Sequence, residues 1–108
     1  MSMDAVFRAL ADPVRRALLD RLHVCPGLTL NALCDGQAMT RQAVAKHLAI
    51  LEKANLVSVI KRGREKLHYL NPVPIAEIAD RWIHKFERGR LGVLADLKRN
   101  LEGDDDGA

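Results

Sequence analysis

The sequence predicts a mainly α chain with one small β-hairpin, and three observations carry that prediction. Apolar residues fill 48% of the 108 positions but aromatics only 4%, which suits packed aliphatic helices better than a sandwich or barrel. Apolar residues recur at helical spacing through most of the chain. Only between Leu56 and Leu70 does the pattern change, to two short strand-like runs separated by a glycine-bearing turn.

The first helix is Asp4–Ala11, with Val6, Phe7 and Leu10 as its apolar stripe. Asp12-Pro13 breaks it and starts a second, since Asp12 caps and Pro13 fits the first turn. Val14, Ala17, Leu18 and Leu22 give that helix its spacing, and Pro26-Gly27 stops it. Thr29 caps a short third helix, Leu30 to Cys34, ended by Asp35-Gly36. Thr40 caps a fourth that runs to about Ala54, with Val44, Leu48 and Leu51 facing the core. Two short helices joined by a tight glycine-containing turn form a helix-turn-helix.

Leu56–Ile60 and Lys66–Leu70 read as paired strands, with Lys61-Arg62-Gly63-Arg64-Glu65 as the turn. A basic-tipped hairpin directly after a helix-turn-helix makes the architecture a winged helix. Asn71-Pro72-Val73-Pro74 then leads into a long last helix, Ile75 to about Leu101, in which Gly89 and Gly92 favour a kink. One domain is expected over residues 1–102, with 103–108 a disordered acidic tail.

Net charge is +3, but its distribution is uneven. From Arg41 to His68 there are seven Lys or Arg and two acids, so that segment carries +5 and the rest sums to −2. A basic middle in a slightly acidic frame is the footprint of a polyanion-binding surface. An ordinary solvated face is the competing reading, as is edge protection by lysines at the hairpin. No apolar stretch approaches the roughly 20 residues of a membrane span. Met1-Ser2-Met3-Asp4 does not read as a secretory signal, and two cysteines are too few for a disulfide framework, so a cytoplasmic protein is expected. No phosphate loop, nucleophile elbow or convergent carboxylate pair points to an enzyme.

From Phe7 to about Leu101 the sequence resembles the ArsR/SmtB family of bacterial winged-helix repressors. The resemblance rests on Leu10-Ala-Asp-Pro-Val-Arg-Arg-Ala-Leu-Leu19, Met39-Thr-Arg-Gln-Ala-Val-Ala-Lys-His-Leu-Ala-Ile-Leu51, Ala54-Asn-Leu-Val57 and Arg62-Gly-Arg-Glu-Lys-Leu-His-Tyr-Leu70, in order and with spacing intact. It implies a homodimer that binds a partly palindromic operator in double-stranded DNA, usually represses, and releases DNA on a signal. The sequence departs from the metal-sensing members. Where a common site places Cys-x-Cys this chain has Thr29 and Asn31, with Cys34 three residues on. Of the other well-known site only His84 and Glu87 remain. The chain is therefore similar to a branch lacking the classical metal ligands; no metal or cofactor is expected, and the inducer is not legible.

In a winged helix the N-terminal half of the fourth helix enters the major groove, so Thr40, Arg41, Gln42, Lys46 and His47 are the candidate contacts there. Arg41 suits guanine and Gln42 adenine, while Ala43 or Ala45 suits a thymine methyl. His47 has two readings, a DNA contact or a helix-packing residue. On the wing, Lys61, Arg62, Arg64 and Lys66 suit phosphates or a minor groove. Lys53 reads as a solubility residue.

The last helix exposes more apolar stripe than one small subunit can bury, so Ile78, Trp82, Phe86, Leu94 and Leu97, with Val6 and Phe7 of the first helix, are expected to meet a second copy. Two alternatives stay open: a winged-helix module that binds protein, and a redox-responsive repressor using Cys25 and Cys34, which otherwise serve as small buried apolar residues.

Overall fold

The computed structural model describes residues 3–89 and 97–98. The order is α1 (Met3–Leu10), α2 (Pro13–Val24), α3 (Leu30–Cys34), α4 (Arg41–Lys53), β1 (Val57–Arg62), β2 (Glu65–Leu70) and α5 (Val73–Gly89). The chain divides into two compact units, the first reaching Ile75 and the second starting at Ala76.

Polar caps set the helix starts. Asp12 accepts from the backbone N–H groups of Val14 and Arg15, Thr29 from Ala32, and Thr40 from Ala43. The end of α4 is a Schellman motif: Asn55 takes a left-handed φ of 63°, its N–H donates to Glu52, and the Leu56 N–H donates back to Leu51. Leu51 and Leu56 are both fully buried beside it. Asn71 then clamps this corner, its amide donating to the Asn55 carbonyl at 2.8 Å and its backbone N–H to Leu56.

The core of the first unit joins Val6 and Ala9 of α1, Leu18, Leu19 and Leu22 of α2, Leu33 of α3, and Val44, Leu48 and Leu51 of α4. Two expected faces shift. On α2 the third inward residue is Leu19, while Ala17 is exposed, because the larger side chain gains more by burial. On α1, Val6 is 2% exposed and belongs to the chain's own core, which removes it from the surface expected to meet a second copy; Phe7 is 44% exposed.

The hairpin is longer and its turn tighter than the sequence suggests. Lys61 and Arg62 sit in β1 and Glu65 in β2, leaving Gly63-Arg64 as a two-residue loop. Gly63 has φ 63° and Arg64 does not share the positive φ, the pattern of a type II′ turn, whose twist matches the flanking strands. A third strand-like contact extends the sheet: Leu28, between α2 and α3, bridges to His68. The backbone N–H of Gly27 donates to the His68 carbonyl and the His68 N–H donates to Leu28.

Helix α5 begins at Val73, two residues earlier than expected, where the Val73 N–H donates to the side-chain oxygen of Asn71. In the second unit Trp82 and Ile83 are about half exposed, and His84 pairs with Asp80 one turn back at 3.1 Å. The expected continuation to Leu101 lies outside the described residues apart from helical Leu97–Lys98, as do Leu94 and the acidic tail. No helix among the described residues is long and apolar enough to cross a membrane.

Candidate nucleic-acid interface

The N-terminal end of α4 is where the candidate residues gather. Val44, Leu48 and Leu51 anchor the helix in the core, which turns Arg41, Gln42 and Lys46 to solvent and leaves Ala45 and His47 half-buried. Thr40 is committed to the cap, its hydroxyl accepting from Ala43 at 3.1 Å. Arg41 is held from α3: its Nε donates to the Asn31 side-chain oxygen at 3.0 Å. Thr29 and Asn31 thus have local roles, one capping α3 and the other positioning Arg41. Among the described residues no group of three or more His, Cys, Asp or Glu is placed to hold a metal.

The pleat divides the wing cations by face. Lys61 is directly opposite Lys66, on the same face as half-buried Val59 and buried His68. Arg62 is opposite Glu65 on the other face, beside Ile60 and Leu67. The four basic residues grouped in the sequence are therefore two on the face continuous with the core, one on the outer face, and Arg64 at the turn. Like charges directly across a strand pair are destabilising, so the Lys61–Lys66 pair is not explained by the hairpin's own stability.

Between α4 and the wing lies a groove of about 400 Å³, lined by Thr29 and Asn31 of the α3 start, Arg41, Ala45, Leu48 and Glu52 of α4, and Arg64, Glu65, Lys66 and His68 of the wing. Arg41 of α4 and the wing's Arg64 and Lys66, distant from it in sequence, line one space.

His68 forms its floor. It is 5% exposed, and its Nδ1 donates to the Leu28 carbonyl at 2.8 Å, a carbonyl that also receives the His68 backbone N–H. This residue fixes the wing to the start of the helix-turn-helix. The sequence reads it only as a strand residue; its place opposite Val59 follows from the observed register, which the five-residue turn expected from the sequence does not give. Two arginines also act inside the unit: Arg21 donates to the carbonyls of Leu33 (2.7 Å) and Ala32 (2.9 Å) at the end of α3. Arg15 donates to those of Arg8 and Ala9 at the end of α1. Cys25 is exposed at the C-cap of α2 and Cys34 half-buried at the end of α3, and both are free thiols.

A core-anchored helix with a polar N-terminal half, set beside a cationic hairpin, defines the class of the molecule: a winged helix-turn-helix, DNA-binding regulator of transcription. Residues 10–60 match the model of a helix-turn-helix domain family. The chain is 38% identical over 86 residues to the uncharacterized HTH-type transcriptional regulator YuzN of Bacillus subtilis, covering 74% of this chain and 94% of that protein. It is 27% identical over 84 residues to the transcriptional repressor SdpR of the same organism, 78% of this chain and 91% of that one. An ArsR-like transcriptional regulator from Rhodococcus sp. RHA1 superposes with a TM-score of 0.71 at 29% identity, covering 94% of this chain and 91% of that chain. The chain belongs to the ArsR family of helix-turn-helix transcriptional regulators.

Proposed function

We propose that the protein acts as a homodimer that reads a partly palindromic operator in double-stranded DNA and represses transcription from it. The observation that carries this reading is the groove in which Arg41, Arg64 and Lys66 line one space, which lets base contact from α4 and phosphate contact from the wing occur together. Arg41 and Gln42 read base edges, Ala43 and Ala45 meet thymine methyls, Lys46 and His47 contact the backbone or adjoining bases, and Lys61, Arg62, Arg64 and Lys66 hold phosphates or reach a minor groove.

Dimerisation is supported by apolar side chains left on the surface of a single chain: Phe7 in the first unit, and Trp82, Ile83 and Leu97 in the second, with Ile78 between exposed and buried. Phe86 and Leu94 complete the proposed stripe. Two copies place their α4 helices about 34 Å apart, so half-sites one helical turn apart are expected. Repression is the role that SdpR, a relative of this chain, carries in its name. The setting is the bacterial cytoplasm, residues 1–102 work as one DNA-binding and dimerisation domain, and the inducing signal enters by a route other than the family's thiolate site.

The test is a mobility-shift titration on the DNA upstream of the protein's own gene, run as a salt series. Six to ten phosphate contacts per dimer lower affinity roughly 10³–10⁵-fold between 50 and 200 mM salt. Binding without any sequence preference would overturn operator reading and make a protein-binding module the working alternative.

A further inference from the structure

One guanidinium joins the end of α1 to the DNA-facing helix. Arg15, whose side chain is 13% exposed, donates through Nε to the Ala9 carbonyl and through one terminal nitrogen to the Arg8 carbonyl, each at 2.8 Å. Its remaining terminal nitrogen, Nη1, donates to His47 Nδ1 at 3.3 Å and lies 3.8 Å from the Asp12 carboxylate. A guanidinium has donors and no acceptor, so His47 Nδ1 must present its lone pair. The proton of the neutral ring then sits on Nε2. Among the described residues no buried side-chain nitrogen or oxygen lacks a partner, and the ring of half-buried His47 bonds within the unit through Nδ1, so Nε2 reaches solvent.

From this geometry we infer that Arg15 is a positioning residue that fixes the tautomer of His47, making its Nε2 an outward N–H donor to an acceptor oxygen or nitrogen on DNA. The inference rests on the proposed use of α4 in DNA contact and deepens it. His47 lies about one and a half turns beyond the exposed pair Arg41–Gln42 and next to exposed Lys46, on the helix that borders the groove without lining the groove itself. A ring free to take either tautomer would present a lone pair to the DNA for part of the time, and a lone pair facing phosphate is repelled. Arg15 removes that state. It also makes the contact dependent on where α1 ends, since the same guanidinium grips the Arg8 and Ala9 carbonyls.

The experiment uses substitutions that divide the two ring nitrogens. An asparagine oxygen reaches the position of Nδ1 and keeps the Arg15 bond but has no outward donor; a glutamine amide reaches the position of Nε2 and keeps the outward donor. The probe is a duplex selected from a random-sequence library on the wild-type protein, beside an unselected duplex, with thermal unfolding as the fold control. His47→Asn is expected to lose about tenfold or more in affinity with little change in unfolding, and His47→Gln to retain most of it. Loss on both duplexes assigns a phosphate acceptor and loss on the selected duplex alone a base edge, and either supports the proposal. Equal loss in both variants, or wild-type affinity in His47→Asn, overturns it.

A second readout is independent of DNA. Two-bond ¹H–¹⁵N spectra of the wild-type protein should show the proton on His47 Nε2, and Arg15→Met should mix the tautomers. A proton on Nδ1 in the wild type overturns the proposal. If the wild type binds no duplex, the DNA-reading assignment fails while these spectra still decide the tautomer.

Discussion

The side chain of Arg41 donates through Nε to the side-chain oxygen of Asn31, 3.0 Å away. One donor of the fork is spent on holding the residue; the terminal nitrogens remain for a guanine edge. Arg41→Ala is expected to reduce discrimination at one base pair of each half-site by about 1–3 kcal/mol. Asn31→Ala leaves the fork but frees its rotamers, and should cost about 0.5–1.5 kcal/mol for the side chain that binding must then immobilise. Titration of matched and single-mismatch duplexes measures both, and an Asn31→Ala protein that binds them as wild type does would remove Asn31's assigned role.

The register of the wing separates its cations functionally. Lys66 lines the groove and opposes Lys61, whereas Arg62, on the other face of the hairpin, is not among the residues that line it. Lys66→Ala should therefore weaken binding to all duplexes alike and lower the salt slope by about 1 for each phosphate that is no longer neutralised. Because it also relieves a like-charge cross-strand pair, it should leave the urea midpoint unchanged or raised. Arg62→Ala should weaken DNA binding less. The reverse order in a salt series would mean that the outer face meets DNA.

The helix boundaries around the turn were legible because they are written in local chemistry. Thr29 and Thr40 stand directly before their helices and cap them, and Asp12-Pro13 does the same for α2. What escaped the sequence depends on residues brought together from a distance. Leu28 and His68 are 40 positions apart, and nothing local marks either as half of a bridge. Asn55 carries a weak signal, since asparagine tolerates a left-handed φ, but the clamp from Asn71 does not. The groove was half legible: its cations were visible as a basic stretch, whereas their division between two faces is set by a two-residue turn instead of the five-residue one expected. Val6 was misplaced because a stripe identifies an apolar face without saying whether the same chain or another covers it.

Helix α3 has only five residues, too few to hold itself together, so its stability is tertiary. Leu33 is fully buried, and Arg21 closes the helix end through the carbonyls of Ala32 and Leu33. Leu33→Ala is expected to destabilise the fold by about 2–5 kcal/mol. Arg21→Met keeps the aliphatic stem and removes the donors, leaving two helix-end carbonyls to find water, and should cost about 1–3 kcal/mol. Urea denaturation reads both. An Arg21→Met midpoint equal to wild type would show that water replaces the cap without loss.

The stability of the α1–α2 corner should depend on pH through Asp12. Partial desolvation pushes its carboxyl upward, but the N–H groups of Val14 and Arg15, the Arg15 guanidinium and His47 outweigh that, and the net shift is downward. A carboxyl whose folded value lies below its unfolded one contributes stability that is fully present above the unfolded value. That contribution is lost as pH falls through the folded value. Asp12→Asn is the informative partner, because asparagine caps as well as aspartate but carries no charge. Wild type should therefore have the higher urea midpoint at neutral pH. The difference should begin to close below about pH 4 and vanish in stronger acid, where both caps are neutral. A gap that persists unchanged into strong acid would assign the corner to geometry alone, and a variant more stable than wild type at about pH 7 would show that the carboxylate's desolvation outweighs its partners.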